Sequence, residues 1–380
     1  MDRGKAWGRL MKRPGLTILL ALPMLALLYL LWDVSDAYAH NGIENGQNPF
    51  TAWNWNPLAT LLLLMAAYVY LNGLNNWTRP SHPISRWQRA SFFSGLFVIF
   101  IALQSPLDNL SEHMLSFHQL QHFMLRMLAP LLILLGAPLT PMLRGLPPWI
   151  LQGVVRPIVR NALARLAYDK LTNPVISTLI FMGVLYLWQV PGGFNLALRN
   201  EFVHALMHLT MMSSGFIFYW AVIDPAPRRS RVHYGVRVLY LGLIVLPNTI
   251  LGAVITFSKS IVYTGYADVY RPFDMSLMTD QQIGGLLLWV PGDMMSILAA
   301  GIVMIMWYQR EEAHQPLYST FAAQAAYYAR PVIKAVIFIS LASVLLLPSE
   351  EQDLAWLSLE DSSLVFVVPH NRYFREDTGL

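Results

Sequence analysis

The chain has 380 residues, of which 55% are hydrophobic and 13% are charged, and its formal net charge is +4. Soluble domains contain roughly a quarter charged residues, so this composition excludes an ordinary soluble protein and predicts a membrane protein. The chain contains no cysteine, which excludes disulfide bonds, thiolate metal sites and cysteine nucleophiles.

Apolar runs of nearly membrane-spanning length recur along the chain. A helix needs about 20 residues to cross a hydrocarbon core of about 30 Å. The runs are continuous instead of alternating, which favours helices over a β-barrel, and helices satisfy their own backbone groups in lipid. The predicted fold is therefore an all-α polytopic membrane helix bundle. Up to nine spans are predicted, at residues 15–32, 57–70, 90–103, 117–135, 175–187, 203–222, 238–256, 283–307 and 332–347.

The amino terminus has two interpretations. A basic start, an apolar run and the stretch "DAYAHNG" resemble a secretory signal with Ala37 and Ala39 at the cleavage positions. Cleavage would leave His40 first, and its free amine and ring together can bind copper. The apolar run is longer than the usual about 7–15 residues and contains Pro23, which equally favours a retained anchor. Residues 1–39 are thus predicted to be a signal peptide or an anchor.

The distribution of basic residues predicts the orientation of the spans. Alternate connections are poor in Lys and Arg: "DVSDAYAHNGIENGQNPFTAWNWN" and "QSPLDNLSEH" have none, and "QVPGGFNLALRN" has one. By the positive-inside rule these connections face outward, and no nucleic-acid partner is needed to explain the basic ones. The predicted cytoplasmic residues are Arg3, Lys5, Arg9, Lys12, Arg13, Arg79, Arg86, Arg89, Arg144, Arg156, Arg160, Arg165, Lys170, Arg228, Arg229, Arg231 and Arg237.

One basic connection, residues 144–170, mixes apolar and charged side chains. It reads "RGLPPWILQGVVRPIVRNALARLAYDK". An amphipathic helix on the inner membrane surface and a solvated connector are equally consistent with this pattern.

Two histidine pairs are the strongest candidate site. His118 and His122 are four residues apart, so on a helix they share one face. His204 and His208 repeat this spacing on another predicted span. With the orientation above, both pairs lie near the outer, periplasmic ends of their helices, where they could face one cavity.

Other polar and sulfur-containing residues flank these pairs. His113 lies off the stripe of His118 and His122 and is expected in the loop that enters the helix. Most of the 18 methionines are expected to be apolar packing. Four have histidine neighbours and are weaker candidate ligands, namely Met114, Met207, Met211 and Met212.

Two charges deep inside predicted spans need partners. Arg126 follows His122 along its stripe, and Asp293 occurs in "WVPGDMMS". Charges within lipid usually pair with each other or with backbone carbonyls. Their depths from the outer ends are similar, so we predict an ion pair.

The ligand types point first to copper. Imidazole binds copper, zinc, iron and nickel, whereas thioether favours Cu(I). The zinc protease signature His-Glu-x-x-His does not occur in the sequence. Haem remains an alternative, because one histidine from each of two helices could clamp an iron axially.

Four stretches carry a resemblance to a known family. They are "WNWNPLATLLLLMAAYVYLNG", "QSPLDNLSEHMLSFHQLQHFMLRMLAPLLILLGAPL", "HALMHLTMMSSGFIFYWAVIDP" and "TDQQIGGLLLWVPGD", which lie in this order between Trp53 and Trp307. In them the sequence resembles the multi-spanning CtaG family of cytochrome c oxidase assembly factors, in the branch associated with caa-type oxidases.

The resemblance implies a seven-helix core at residues 40–310 and a role in maturing a haem-copper oxidase. It marks His118, His122, His204 and His208, with His113 less firmly, and it implies copper handling. Residues 311–380 depart from the family pattern and form a predicted extension with one further span and an outward tail. The implied location is the bacterial cytoplasmic (inner) membrane, and the implied partners are oxidase subunits or other assembly factors.

Three function classes remain open from the sequence. The first is an assembly factor that presents a copper site and turns over no substrate. The second is a haem-binding electron-transfer protein, and the third is a metal-free scaffold subunit whose histidines bond only to each other and to backbone carbonyls. A membrane oxygenase is the least supported class, since its di-iron sites normally use more histidine ligands.

Overall fold

A computed structural model describes residues 48–77, 83–223 and 232–312, and within these ranges the structure is helical and has no strand. The predicted spans at 15–32 and 332–347, the signal or anchor segment and His40 lie outside the described residues. The chain divides into two compact units, Met1–Trp307 and Tyr308–Leu380, and the second lies almost wholly outside the described residues.

Helices account for nearly all of the described part of the chain. Two single turns of 3-10 helix occur at Pro49–Thr51 and Thr264–Tyr266, and two π-helical turns occur at Met124–Leu128 and Leu151–Val155. The α-helices are α1 (Pro57–Asn75), α2 (Arg86–Gln104), α3 (Pro106–His113), α4 (Leu115–Phe123), α5 (Ala129–Leu135), α6 (Leu139–Gly145), α7 (Pro148–Ile150), α8 (Arg156–Arg160), α9 (Ala162–Leu171), α10 (Pro174–Gln189), α11 (Pro191–Arg199), α12 (Glu201–Ile223), α13 (Tyr234–Thr256) and α14 (Leu277–Glu312).

These helices provide four to seven candidate membrane spans. Helices α1, α12, α13 and α14 are each long and apolar enough to cross a membrane. Three bent units pass the same test: α2 with α3, α4 and α5 with α6, and α9 with α10. Counted together they make seven, and each contains one of the seven predicted runs in the described ranges. The prediction of an all-α polytopic bundle is confirmed.

Three helices begin with the same local signal. A polar side chain accepts a backbone N–H of the first turn, and proline occupies the first helical position, where its missing N–H costs nothing. This arrangement starts helices abruptly, which explains the sharp break between α2 and α3. The pairs are Asn56 with Pro57, Ser105 with Pro106, and Asn173 with Pro174.

Both π-helical turns precede a proline. The turn at Met124–Leu128 ends two residues before Pro130, and the turn at Leu151–Val155 ends two residues before Pro157. Proline donates no N–H, and its ring clashes with the carbonyl of the residue four positions earlier. Widening the helix by one residue relieves this clash, so a proline at this position favours a π turn. The chain then bends by 77° between α5 and α6, where Ala137 has φ 47°.

Exposed apolar side chains follow helical spacing on the outside of the bundle. On α13, five large aliphatic residues three or four apart are each more than half exposed. Such stripes would be unfavourable in water and fit a lipid environment. The stripe on α13 consists of Leu239, Leu243, Leu246, Ile250 and Val254.

Within the described part of the chain the interior contains two apolar clusters, and the second of them lies around the histidines. The larger cluster is built mainly from α2, α5, α12 and α14. The smaller one includes Phe194 of α11, Met207 and Met211 of α12, and two tyrosines of the segment between α13 and α14, Tyr263 and Tyr266. Helix α12 packs against α10, α5 and the first π turn, which brings the two histidine-bearing helices side by side.

Candidate metal centre

The two histidine pairs meet in one cluster. His118 and His122 lie on α4 with ring centroids 4.4 Å apart, and His204 and His208 lie on α12 with centroids 4.3 Å apart. Between the helices, the His118 ring is 5.1 Å from His204 and 5.6 Å from His208, while His122 is 5.4 Å from His208. Helical spacing on each chain segment therefore brings four imidazoles together, as the sequence predicted.

Several ring nitrogens in this cluster are buried without a hydrogen bond. His118 is fully buried, and His122 and His208 are 3% and 6% exposed. Within the described ranges, Nε2 of His118, Nε2 of His208 and both nitrogens of His122 have no hydrogen-bond partner. Buried polar atoms are nearly always paired, and an orphaned one indicates a missing water, ion or ligand.

The spacing of the nitrogens fits a metal ion. One ligand atom each from His118, His204 and His208 lies within 4.8 Å of the others. Two nitrogens bound to one ion at about 2.0–2.1 Å are at most about 4 Å apart. Nitrogens up to 4.8 Å apart would therefore have to move closer before they could share one ion. His122 stands beside these three as a candidate fourth ligand.

The beginning of α4 is fixed from another helix. Met114 is extended (φ −144°, ψ 130°), so α3 ends at His113 and α4 starts anew at Leu115. The fully buried Asp280 of α14 accepts hydrogen bonds from the backbone N–H groups of Leu115 (2.9 Å) and Ser116 (3.0 Å). A carboxylate at a helix N-terminus accepts hydrogen bonds from the first backbone N–H groups, which have no partner within the helix. Its negative charge also interacts favourably with the positive end of the helix dipole.

Aromatic side chains from outside the two histidine helices enclose the cluster. The ring of Phe194, on α11, lies 4.9 Å from His118. The Tyr266 hydroxyl lies 2.8 Å from His118 Nδ1 and donates to the Ser111 carbonyl at 2.9 Å. Burial raises the pKa of Tyr266 well above its usual value, and the charges of Asp280 and Glu112 raise it further. Tyr266 is therefore a neutral hydroxyl at ordinary pH.

His113 and the candidate methionines take other positions. His113 is buried apart from the cluster, with Nδ1 2.8 Å from the Tyr270 carbonyl oxygen. Met207 and Met211 are buried among apolar side chains, Met212 is partly buried against the larger cluster, and Met114 is fully buried at the break before α4. A ligand role for these methionines stays a prediction.

The predicted ion pair between Arg126 and Asp293 is absent. Arg126 donates from Nη2 to the Phe181 carbonyl at 3.1 Å, and its guanidinium carbon lies 3.5 Å from the centre of the Phe181 ring. Asp293 instead accepts from Asn248 (3.0 Å) and Thr249 (2.6 Å). Similar depth did not place the two charges together, because Arg126 faces α10 from the π turn whereas Asp293 faces α13.

Because Arg126 and Asp293 have separate partners, we expect their substitutions to change the free energy of unfolding independently. The changes Arg126→Met and Asp293→Asn, made singly and together, are expected to add within about 0.5 kcal/mol, as distant sites do. Reversing both charges is not expected to rescue either single change. The measurement is the unfolding midpoint in detergent of the wild-type protein, the two single variants and the double variant. A coupling energy of about 1 kcal/mol or more between the two changes would show that the two charges do interact.

Three residues near the site were not singled out from the sequence, namely Tyr266, Phe194 and Asp280. Tyr266 lies 148 positions from His118, and Asp280 lies 165 from Leu115. No periodicity connects positions so far apart. The only signal was the position of Asp280 at the start of a long apolar run, where an acidic residue favours a helix start.

The fold and the cluster define a polytopic helical membrane protein with a buried group of imidazoles. Residues 46–310 match the family described as cytochrome c oxidase caa3 assembly factor (Caa3_CtaG). This match covers more than half of the chain, which therefore belongs to that family, and the resemblance found in the sequence is confirmed.

Curated relatives share sequence over a similar region. The chain is 26% identical over 287 residues to an uncharacterised protein of Mycobacterium leprae (strain TN) and 25% identical over 288 residues to one of Mycobacterium bovis. Both alignments cover 74% of this chain and 43% of the relative, so the chain spans less than half the length of these relatives. No solved structure matches the chain.

Proposed function

We propose that this chain is an integral membrane assembly factor that binds copper as cargo at the histidine cluster and helps to mature a haem-copper cytochrome c oxidase. The observation that carries the proposal is the cluster of four imidazoles, three of them buried, whose ring nitrogens include unpaired ones. Membership of the oxidase assembly family supports the pathway. The predicted copper-loading partners are oxidase subunits or other assembly factors, and the protein itself is expected to catalyse no reaction.

The donor set supports copper as the cargo. Imidazole nitrogen binds copper strongly, and affinity for divalent ions at a given nitrogen site is greatest for Cu²⁺. The sequence offers no thiolate, so histidines must supply the binding. Nitrogens that have to move before they contact an ion would bind it less tightly than a site whose ligands are already in place. Such weaker binding suits a protein that passes the ion on to a partner. From the charge distribution, we expect the cluster near the outer face of the bacterial cytoplasmic membrane.

The geometry gives less support to the haem and scaffold alternatives. A haem clamped between two helices would hold its axial imidazoles on opposite sides of the macrocycle. The rings of α4 and α12 are instead 5.1–5.6 Å apart and meet edge to face. A scaffold role would leave the ring nitrogens hydrogen-bonded within the protein, whereas both nitrogens of His122 lack such a bond in the described part of the chain.

Oxidase maturation in cells tests the proposal. Changing all four clustered histidines to asparagine should leave the protein in the membrane but lower the amount of mature oxidase, because cargo is no longer held. The matched control is His113→Asn, which removes a buried histidine outside the cluster and should retain maturation. Full maturation with the fourfold variant would favour a scaffold without metal.

A further inference from the structure

We propose that Tyr266 is a positioning residue that holds His118 in the tautomer with the proton on Nδ1, and so presents the bare Nε2 to the metal. The inference rests on the proposed function for its use, but the tautomer itself is a property of the metal-free protein. Two hydrogen bonds of one hydroxyl group carry it.

The proton count at Tyr266 decides the tautomer. A phenol has one proton to donate, and a backbone carbonyl can only accept. The Tyr266 oxygen lies 2.9 Å from the Ser111 carbonyl oxygen and 2.8 Å from His118 Nδ1. Once the phenol proton is used on Ser111, the contact with His118 forms only if Nδ1 carries a proton and donates it to the phenol oxygen.

The Ser111 carbonyl depends on this proton because of the break between α3 and α4. In a continuous helix, Ser111 would accept from the N–H of Leu115, four residues later. Here the Leu115 N–H is directed to Asp280. Ser111 is fully buried, so its carbonyl cannot turn to water for a donor. Rotating the phenol proton towards His118 would leave that carbonyl unpaired, which disfavours the other tautomer.

The orientation of Tyr266 is itself fixed. Its side chain is 1% exposed, and the preceding residue, Gly265, donates its backbone N–H to Asn195 Oδ1 at 3.0 Å. The ring also lies 6.2 Å from that of Phe194, which contacts His118. The hydroxyl therefore stays in place as the histidine ring turns towards an ion.

The consequence concerns Nε2 of His118. This atom is buried and has no hydrogen-bond partner within the described ranges. A neutral imidazole binds metal through the nitrogen without a proton, and a hydrogen bond at the other nitrogen selects which one that is. Tyr266 thus prepares one ligand before any ion arrives. Groups that orient a metal ligand in this way typically change affinity by about 10–100-fold when removed.

Nuclear magnetic resonance of isotope-labelled histidine in the metal-free full chain tests the proposal, with the His118 signals identified by their loss in His118→Gln. The wild-type protein should show the proton on Nδ1 of His118. In Tyr266→Phe this preference should fall, and Cu²⁺ affinity should drop by about tenfold. The matched control is Tyr263→Phe: Tyr263 is equally buried in the same segment, but its hydroxyl donates to Gln189. That change should leave the tautomer unaltered.

Each outcome has a distinct meaning. A proton on Nε2 in the wild-type protein overturns the proposal, and so does an unchanged tautomer in Tyr266→Phe. If Tyr266→Phe does not fold, the wild-type spectrum decides alone. The predicted tautomer together with no copper binding by the wild-type protein would support the tautomer assignment and overturn the proposed function.

Discussion

Replacing Gly215 with leucine is expected to destabilise the protein by about 3 kcal/mol or more and to disperse the histidine cluster. Gly215 lies on α12, seven residues after His208 and so two turns along the same face. A Cβ atom at this position would be 2.0 Å from the Arg126 carbonyl oxygen and 2.9 Å from its carbonyl carbon. These are backbone atoms, which cannot turn aside as a side chain can, so the two helices would have to separate.

The separation would act directly on the site. Arg126 lies in the π turn that follows α4, and α4 carries His118 and His122. Helices pushed apart by an ångström or more would move one histidine pair away from the other, beyond the reach of one ion. Copper retention is therefore expected to fall together with stability.

The measurement is the unfolding midpoint in detergent and the copper bound per chain. Gly183→Ala on α10 is the matched control, because a Cβ there meets no atom within 4 Å in the described part of the structure. Alanine in an exposed helical position should be neutral or stabilising by up to about 1 kcal/mol. If Gly215→Leu has the same unfolding midpoint and the same copper content as the wild-type protein, α12 and the π turn after α4 are not in close contact at Gly215.

Removing the Asp280 carboxylate is expected to have the second large effect. Asp280→Ala would leave the buried N–H groups of Leu115 and Ser116 without their acceptor and would leave Arg271, whose Nη2 lies 3.4 Å away, without its acidic partner. Because Arg271 is 20% exposed, most of the expected loss comes from the two buried N–H groups, each of which typically costs about 1–3 kcal/mol when it loses its acceptor. The start of α4 would loosen, and with it the placement of His118.

Two further variants make this test specific. Asp280→Asn keeps one acceptor oxygen and should retain part of the lost stability. Asp274→Ala removes an exposed carboxylate from the same segment of the chain and should change stability by no more than about 0.5 kcal/mol. Equal unfolding midpoints for Asp280→Ala and Asp274→Ala would contradict the capping role.

Local sequence patterns predicted the helices and the histidine pairs well. Continuous apolar runs marked seven spans in the described ranges, and the structure has helices at each of them. A spacing of four residues put His118 beside His122, because successive turns of a helix stack the side chains of residues i and i+4. The meeting of the two pairs followed from their similar position along separate spans.

The prediction for Arg126 was wrong because the helical period changes just before this residue. The prediction continued the stripe of His118 and His122 with ordinary α-helical spacing, but a π turn begins at Met124. Pro130 was the available signal, since it removes the N–H that would bond to the Arg126 carbonyl. A proline alone does not predict a π turn, because Pro247 and Pro291 lie within helices α13 and α14, which are α-helical on both sides of the proline.

Contacts between distant parts of the chain could not be read from spacing. Tyr266 and Asp280 act on α3 and α4 across more than 140 residues of sequence. Such pairings depend on how the helices pack, and one sequence gives no periodicity that relates them. The residues that prepare the site were therefore found only in the folded protein, whereas its histidines were visible beforehand.

Copper bound per chain, measured on purified protein after loading with Cu²⁺ and removal of free metal, tests the central claim most directly. About one ion per chain is expected for the wild-type protein and for His113→Asn. No retained copper is expected for the folded variant in which all four clustered histidines are asparagine, that is His118, His122, His204 and His208. An undiminished copper content in that variant would contradict the account.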